Sequence, residues 1–400
     1  MPRPRPLRRP FSPVDPYGIS QRDDDGGQVC TIPVLDRGGA VCNVRNPTYS
    51  GGAFGDGVHD DTEAIRSAIE HAGVGGTVLF PATRPGESYL VSNRLEIKDG
   101  QQWIGGYGDG KDLQRATLSN RSGVGPMIVA EGVNLDQATT GCRISGLSLF
   151  ADPALSVVIA MSSAIDWLLD HVRVVTTGSQ FGAIAVRMSN GIPSARCQFR
   201  DCHIELRGPG TGFFFGADDL TPTNGHHLIL GGSVKCTAGG TIGVQVGDSI
   251  QGTHRGLTAI GVVCEDYFET GFKIEQAANT TLIACRASSQ LPGATGANLA
   301  SGFASNVMIL GGDYATNPGG SVVSVVPEDT LHANLALIPQ SKAGTDGLIE
   351  NLVRASIGLW ASDTDLRFPF TGTGPVLTSP DGSHFRLTVD NAGTLTTTPV

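Results

Sequence analysis

The sequence contains few charged residues and no long apolar segment. Asp, Glu, Lys and Arg make up 16% of the 400 residues, and aromatic residues make up 6%. No uninterrupted apolar run reaches the roughly 18 residues that a membrane-spanning helix requires, so we expect no transmembrane helix. The formal net charge of −10 disfavours nucleic acids and anionic membranes as partners, because both would repel an acidic protein.

Metal-ligand motifs are also missing. Eight cysteines are present, but neither a CxxC pair nor a Cys/His cluster with zinc-ligand spacing occurs. We therefore predict no structural metal and no cofactor. Cys30 and Cys42 flank a short segment and could form a disulfide, a point that the sequence leaves open. The other six have apolar neighbours and are predicted to be buried thiols: Cys142, Cys197, Cys202, Cys236, Cys264 and Cys285.

The chain begins with the basic, proline-rich stretch MPRPRPLRRP. A signal peptide would continue into an apolar segment. None follows here, so we do not expect export by that route. A segment of this composition cannot bury much apolar surface and is typically solvated. We therefore expect residues 1–48 to be flexible and to serve as a possible attachment region.

The residues that are plentiful indicate an all-β protein. Glycine reaches 55 residues, and β-branched residues are frequent between the glycine-rich turns. Seven hexapeptides share a loose apolar pattern with a small or polar third residue: ISGLSL at 144, LDHVRV at 169, FRDCHI at 199, ILGGSV at 229, AIGVVC at 259, LIACRA at 282 and ILGGDY at 309. Their starts differ by 25, 30, 30, 30, 23 and 27 residues. This period is typical of a solenoid and too short for a propeller blade of about 40 residues.

One short amphipathic helix is predicted in GAFGDGVHDDTEAIRSAIEHAG, at residues 61–72. Asp60 is a suitable N-cap, and Glu63 three residues later gives a variant of the capping box. Ile65 and Ile69 belong to a narrow apolar stripe. Because the end of a solenoid exposes an open core and unpaired strand edges, we predict that this helix covers the N-terminal end.

The same region resembles a known family. GDGVHDDTEAIRSAIEHAGVGGTVLFP followed by YLVSNRLEIKDGQQWIGGYGDG, within residues 50–110, is similar to the start of the pectate-lyase-like, rhamnogalacturonase/epimerase-type proteins. The resemblance implies a right-handed parallel β-helix that acts on polysaccharides. The family includes many phage tailspikes, and by analogy with these we expect a homotrimer. Such a fold hosts many activities, so the chemistry does not carry over with it.

The C-terminal run GPVLTSPDGSHFRLTVDNAGTLTTTPV looks like endings that are common in phage and prophage tail proteins. Phe385, Leu387 and Val389 alternate before a turn at 391–393, which predicts a β-hairpin. We therefore divide the chain into the flexible segment 1–48, a parallel β-helix over 49–345 and a small β-rich tail domain over 346–400.

The repeat also indicates a candidate catalytic pair. In FRDCHI the apolar residues point inward, so His203, Glu205 and Arg207 should face solvent. Lys235 takes the position of Glu205 one coil on, and Glu265 takes it two coils on. Strands about 4.8 Å apart would separate the glutamates by about 9–10 Å, near the upper limit for inverting glycoside hydrolysis. The alternative is a solvated Glu–Lys–Glu ladder, in which the lysine keeps both carboxylates ionised.

A second candidate pair is Asp218 and Asp219 in GADDLTP, followed by His226 and His227 in NGHH. The polygalacturonase branch of the superfamily carries an Asp-Asp pair on one coil and Gly-His-Gly on the next. Here the spacing is a fraction of a coil and the second glycine is missing, so that site is not transferred. The aspartates remain candidates because loops between coils build the grooves of such enzymes. A plain polar turn is the alternative.

Other residues say less about function. His254 and Arg255 in GTHRG could bind an acidic sugar, although a solvated loop is the simpler interpretation. Trp103, Trp167 and Trp360 could stack on sugar rings, although burial in the coils and the tail fits them better.

Three functions remain open. The first is a phage or prophage tailspike, in the virion tail, that binds and depolymerises a bacterial surface polysaccharide. The second is a free extracellular hydrolase or lyase of the pectinase type, which an export signal would favour. The third is a tail fibre that only binds a glycan or builds structure. The tail-like C-terminus and the missing export signal favour the first.

Overall fold

A computed structural model shows the chain as a parallel β-solenoid, with one helix among the residues that it describes. The structure describes residues 40–106, 115–123, 125–130, 138–152, 155, 157–178, 182–188, 194–217, 225–237, 241–247, 254–266, 268–275, 277–299 and 307–314, together with strands at 321–325, 335–338, 349–350, 357–359, 376–378, 384–389 and 395–399. No helix in these residues is long and apolar enough to cross a membrane.

Three parallel sheets surround the core. Sheet 1 has 12 strands: Val41–Asn43, Thr77–Phe80, Gln102–Gly105, Arg143–Ser145, Leu168–Asp170, Gln198–Arg200, His227–Leu230, His254–Ile260, Ala277–Ile283, Met308–Leu310, Leu335–Ile338 and Ile357–Leu359. Sheet 2 has eight strands: Tyr89–Val91, Thr117–Asn120, Ser148–Ala151, Arg173–Thr176, His203–Leu206, Ser233–Cys236, Val263–Asp266 and Arg286–Ser289. Sheet 3 has ten strands: Leu95–Ile97, Ile128–Ala130, Ile159–Ser162, Ile184–Met188, Gly210–Ala217, Thr241–Val246, Thr270–Ile274, Thr295–Leu299, Ser321–Val325 and Ile349–Glu350.

Two small sheets complete the architecture. A parallel pair joins Thr139–Thr140 to Ala164–Ile165. Near the C-terminus, an antiparallel sheet is formed by Val376–Thr378, His384–Val389 and Leu395–Pro399. The last two strands pair antiparallel, which confirms the predicted hairpin, whereas its turn at 391–393 lies outside the described residues.

The structure confirms the hexapeptide repeat and its alignment. The first residues of all seven repeats stack in register along sheet 1: Ile144, Leu169, Phe199, Ile229, Ala259, Leu282 and Ile309. The third residues form the turn from sheet 1 to sheet 2 with φ between 46° and 70°: Gly146, His171, Asp201, Gly231, Gly261, Ala284 and Gly311. This left-handed backbone favours glycine and short polar residues, which explains the small or polar third position.

The core of the described coils is mostly apolar, with the buried rings of His227 and His254 among the exceptions. Trp103 and Trp167 are at most 1% exposed, so neither can stack on a sugar, as predicted, and Trp360 lies outside the described residues. All seven described cysteines are buried thiols: Cys42, Cys142, Cys197, Cys202, Cys236, Cys264 and Cys285. Cys30 lies outside the described residues, so its pairing with Cys42 stays a prediction.

The helix spans Thr62–Ala72, and Ile65 and Ile69 are at most 2% exposed on its buried face. It packs against the strands Val41–Asn43, Thr77–Phe80 and Leu95–Ile97. These strands belong to the first coils of the solenoid. That the helix acts as an end cover stays a prediction.

The start of the helix differs in detail from the expected capping box. Asp61, not Asp60, directly precedes the helix. The Asp60 carboxylate accepts the Thr62 N–H at 3.0 Å, so it still satisfies one N-terminal donor. Glu63 binds Arg66 at 2.9 Å instead of turning back to the N-cap.

Strand pairing extends beyond the predicted limits of the β-helix. Val41–Asn43 pairs with Thr77–Phe80 in sheet 1, within the segment expected to be flexible. Ile349–Glu350 continues sheet 3 and Ile357–Leu359 continues sheet 1. The three-domain division itself stays a prediction.

Candidate functional site

The predicted Glu–Lys–Glu ladder exists on the outer face of sheet 2. Glu205 pairs with Lys235, and Lys235 pairs with Glu265. His203 and Arg207 are exposed, and Glu205 is partly buried. The two glutamates are two strands apart, which corresponds to about 9–10 Å between backbones. Sequence alignment of the repeats therefore predicted this surface correctly, whereas the catalytic role stays a prediction.

Glu205 is held by two arginines. Its Oε1 accepts a hydrogen bond from the Arg207 Nε–H at 2.8 Å, and its Oε2 accepts one from the Arg173 Nη2–H at 3.1 Å. Burial by itself raises the pKa of Glu205, but the hydrogen bonds from Arg207 and Arg173 outweigh it and hold the pKa below its usual value. An ionised carboxylate suits a general base or an ion pair and does not suit a general acid.

Lys235 forms an ion pair with a carboxylate that the sequence did not predict. Its Nζ lies 3.1 Å from Oδ2 of Asp266, on the neighbouring strand. The hydrogen bond to Asp266 raises the pKa of Lys235. The lysine therefore neutralises an aspartate that the sequence did not single out, beside the position of Glu265.

A second group of charges lies where the chain turns from sheet 1 to sheet 2. The Asp170 carboxylate, with 7% of its side chain exposed, contacts Nη2 of Arg143 and Nδ1 of His171, both at 2.8 Å. His171 is half exposed, and its Nε2 lies 3.7 Å from Oδ2 of Asp201 on the next coil. The buried carboxylate fixes the orientation of the imidazole ring, and its second nitrogen lies on the side of Asp201.

The strand after this turn adds further polar groups. His203 Nδ1 lies 2.9 Å from the hydroxyl of Ser233. Arg115 donates to the carbonyl oxygen of His171 at 2.8 Å. Burial, reinforced by the charge of Arg115, lowers the pKa of His203, although part of its ring stays in contact with solvent.

We call this set the corner cluster, since it lies on the corner between sheets 1 and 2: Arg115, Arg143, Asp170, His171, Arg173, Asp201, His203, Glu205 and Arg207. Beside it, the Arg207 guanidinium lies 5.6 Å from the centroid of the Phe150 ring. The corner therefore presents ion-pairing, hydrogen-bonding and aromatic groups on successive coils, which are the groups that bind carbohydrates through hydroxyls, acidic substituents and ring faces.

Sequence reasoning missed the sheet 1 side of this cluster. Asp170 and His171 lie in LDHVRV, and Asp201 lies in FRDCHI, at the second and third repeat positions. The stacking of third positions in successive turns was a usable signal, because residues at one repeat position must be neighbours in a solenoid.

Two other predictions have different outcomes. Asp218 and Asp219 lie outside the described residues, so their role stays a prediction. The prediction that His254 lies in a solvated loop is wrong, because His254 is fully buried in the strand His254–Ile260. Its ring stacks on that of His227 with centroids 5.4 Å apart. A residue in the core cannot bind a sugar at the surface.

The described residues contain no group of three or more His, Cys, Asp or Glu side chains that could hold a metal ion. The expectation of no cofactor is not tested by this observation.

No protein-family model matches the chain, and neither does any curated protein sequence. Among solved structures, bacteriophage phi29 gene product 12 matches with a TM-score of 0.51 at 16% identity, over 76% of this chain and 46% of that chain. An N-terminal fragment of the same product matches with a TM-score of 0.47 at 14% identity, over 79% and 65%. The gp42 tailspike of Acinetobacter phage vb_AbaP_AS12 matches with a TM-score of 0.47 at 12% identity, over 90% and 72%.

The resemblance in fold is confirmed. This chain spans less than two thirds of the length of either gene product 12 structure. At such low identities the matches establish the β-solenoid fold alone, because one fold hosts many activities. The function has to be argued from the surface of this chain.

Proposed function

We propose that the protein binds a bacterial surface polysaccharide at the corner cluster and depolymerises it, as a tail protein of a phage or prophage. The observation that carries this proposal is the alignment of polar groups across successive coils, with His171 oriented by buried Asp170. A linear polysaccharide presents hydroxyl groups at regular intervals, and the coils that would bind them repeat about every 4.8 Å. The tail location, the homotrimer and attachment through residues 1–48 rest on the sequence resemblance.

Two residues in the corner can act as a base. Glu205 is kept ionised by Arg173 and Arg207, and the half-exposed His171 offers its Nε2, 3.7 Å from Oδ2 of Asp201, for proton transfer. In the inverting scheme Glu205 activates water while Glu265 protonates the departing sugar oxygen. In an elimination on a uronate, His171 removes the proton next to the carboxylate, and a nearby arginine stabilises the negative charge that develops. The glycosidic C–O bond then breaks as the C–C double bond forms, and the leaving oxygen takes the proton back from His171.

A panel of capsular and cell-wall polysaccharides tests the proposal. New reducing ends indicate hydrolysis, and ultraviolet absorbance of unsaturated uronates indicates elimination. With a cleaved glycan in hand, Glu205→Gln, Glu265→Gln and His171→Gln separate the two schemes. Loss of the acid or the base should lower kcat by about 10²–10⁴.

Glu96→Gln is the matched control. Glu96 lies on the outer side of the sheet 3 strand Leu95–Ile97 and pairs with Arg94 at 2.8 Å, so this variant should retain full activity. If all three corner variants stay fully active, the corner is not the catalytic site, and Asp218→Asn and Asp219→Asn become the next variants. Absence of both binding and cleavage over the whole panel would contradict the proposal.

A glycan-binding fibre without catalysis is the second candidate. It is favoured by the two ion pairs on Glu205, which make this carboxylate a structural bridge between strands. In that case the panel shows binding without new ends, and Arg207→Ala weakens binding because it removes both the ion pair and the contact with Phe150.

A further inference from the structure

The outer face of sheet 3 brings a lysine together with two side-chain amides. In the strand Thr270–Ile274 both neighbours of Lys273 are buried, so Lys273 itself points outward. It lies in register between Gln245 of the preceding coil and Asn298 of the following coil. Because neighbouring strands are about 4.8 Å apart, the long lysine side chain can reach either carboxamide. An amine and a carboxamide are the two groups from which a new amide bond can form.

A buried carboxylate lies beside this lysine. Oε2 of Glu275 lies 2.9 Å from Nζ of Lys273, and only 8% of the glutamate side chain and 26% of the lysine side chain are exposed. Enclosing an ion pair to this degree costs desolvation energy that exposed pairs avoid. A base in contact with an amine is also the arrangement that activates lysine as a nucleophile. The pair therefore has the geometry of an amine and its general base.

The two carboxamides differ in their hydrogen bonds. Nε2 of Gln245 donates to the carbonyl oxygen of Gly247 at 3.3 Å and to Oε2 of Glu275 at 3.2 Å. Oδ1 of Asn298 is buried and has no hydrogen-bond partner among the described residues. A buried carbonyl oxygen without a partner is unfavourable, so its presence needs an explanation other than packing. Asn298 is therefore the carboxamide whose carbonyl group is uncommitted.

We propose that Lys273 and Asn298 form an intramolecular isopeptide bond, with Glu275 as the general base. Glu275 accepts a proton from Nζ, and the free amine attacks Cγ of Asn298. Glu275 then transfers protons from Nζ to Nδ2, the Cγ–Nδ2 bond breaks, and that nitrogen leaves as ammonium. An amide bond now joins Nζ to Cγ, and Glu275 is a carboxylate again. The step consumes no oxidant or cofactor, because the fold itself holds the reacting groups together.

The proposed bond connects two coils at the point where the solenoid loses one of its sheets. Arg286–Ser289 is the last strand of sheet 2 among the described residues, whereas sheets 1 and 3 continue. The next strand along the chain is Thr295–Leu299, which the bond ties to Thr270–Ile274. A crosslink that closes a loop also restricts the unfolded chain and so favours the folded one. This inference concerns the scaffold and is independent of the glycan chemistry proposed above.

Mass spectrometry of the purified full chain tests the bond directly. The intact protein should be lighter than its sequence mass by one molecule of ammonia. Succinimide formation at an asparagine gives the same change, so a proteolytic digest must locate the bond. The digest should contain one branched peptide that includes both Lys273 and Asn298. A protein that keeps its full sequence mass after prolonged incubation at neutral pH, or a branch from Lys273 to Gln245, overturns the proposal.

Variants assign the three roles. Lys273→Arg keeps the positive charge but removes the nucleophilic amine, and Asn298→Ala removes the electrophile, so neither should contain the branched peptide. Glu275→Gln should form it about a hundredfold more slowly or less, since the general base is lost. Lys235→Arg is the matched control, because Lys235 also contacts a carboxylate but lies in register with two glutamates instead of amides, and its branched peptide should be unchanged. Should a variant fail to fold, the digest of the unmodified chain still decides. A branch that forms at the normal rate in Glu275→Gln, or a mass deficit that persists in Lys273→Arg, overturns the proposal.

Discussion

The outer face of sheet 1 differs sharply between its earlier and later coils. At one ladder position the earlier coils carry Ser145, Asp170 and Arg200, whereas the later coils carry Leu230 and Ile260. The inward ladder beside it stays apolar throughout. The backbone is the same in both regions, so the fold requires apolar residues only on the inside. The change on the outside is therefore not a requirement of the fold.

The largest expected effect on stability distinguishes an inward-facing residue from an outward-facing residue of the same strand. Phe199 is fully buried, and its ring centroid lies 5.6 Å from those of Phe213 and Phe215. Phe199→Ala should lower the free energy of unfolding by about 3–5 kcal/mol. Gln198→Ala, in the same strand but facing outward, should change it by less than about 0.5 kcal/mol. Urea denaturation of both variants checks this, and similar losses would contradict the assigned faces.

The next prediction concerns the loss of stability at acid pH, in a coil close to the place where the outer face of sheet 1 changes. His254 is fully buried, and burial lowers its pKa to about 3. Because an unfolded histidine has a pKa of about 6.5, the unfolded chain binds the additional proton first. The contribution of this residue to stability is therefore complete above a pH of about 6.5 and is lost as the pH falls towards 3, by at most about 5 kcal/mol.

Thermal unfolding as a function of pH measures this loss. His254→Leu should flatten the acid side of the curve in part, since it removes one of two buried imidazoles, and His227, whose pKa burial also lowers, remains. His226→Asn is the control, because His226 is exposed and has a φ of 61° that asparagine tolerates. An unchanged curve for His254→Leu would show that other groups cause the acid sensitivity.

A smaller effect is expected in the turns that both regions share. Gly261 has a φ of 65° with nothing within 4 Å of an added β-carbon, and Ala284 has a φ of 50° at the same repeat position. Gly261→Ala should destabilise the protein by about 1 kcal/mol, and Ala284→Gly should stabilise it by a similar amount. Chemical denaturation measures the free energy of unfolding of both variants. Changes of the same sign in the two variants would contradict the assigned effect of the left-handed backbone.

The smallest effect concerns the charged outer face. Lys235 and Asp266 form an ion pair at 3.1 Å in which the lysine side chain is 49% exposed. Lys235→Ala should alter stability by less than about 1 kcal/mol, because exposed pairs contribute little. The difference should shrink further at high salt. A large, salt-insensitive loss would mean that this face is structural in the same way as the core.

Much of the fold was predictable because a solenoid repeats its local constraints. One apolar residue per strand and one small or polar turn residue recur at nearly fixed intervals, so Leu169, Phe199 and Ile229 could be aligned without coordinates. The same alignment placed Glu205, Lys235 and Glu265 in line. The contacts that hold Glu205 were not predictable, since Arg173 lies on another coil and its side-chain direction depends on packing.

The sequence by itself determined the parallel β-solenoid, the inward and outward faces of its strands and the left-handed turns, because these depend on residue type at repeated positions. Only the tertiary structure decided which polar side chains meet. It joined Asp170, His171 and Asp201 in one cluster and buried His254 in the core. The physical reason is that hydrogen bonds and burial depend on side-chain conformations and on contacts between neighbouring coils, which the residue type at a repeated position does not specify.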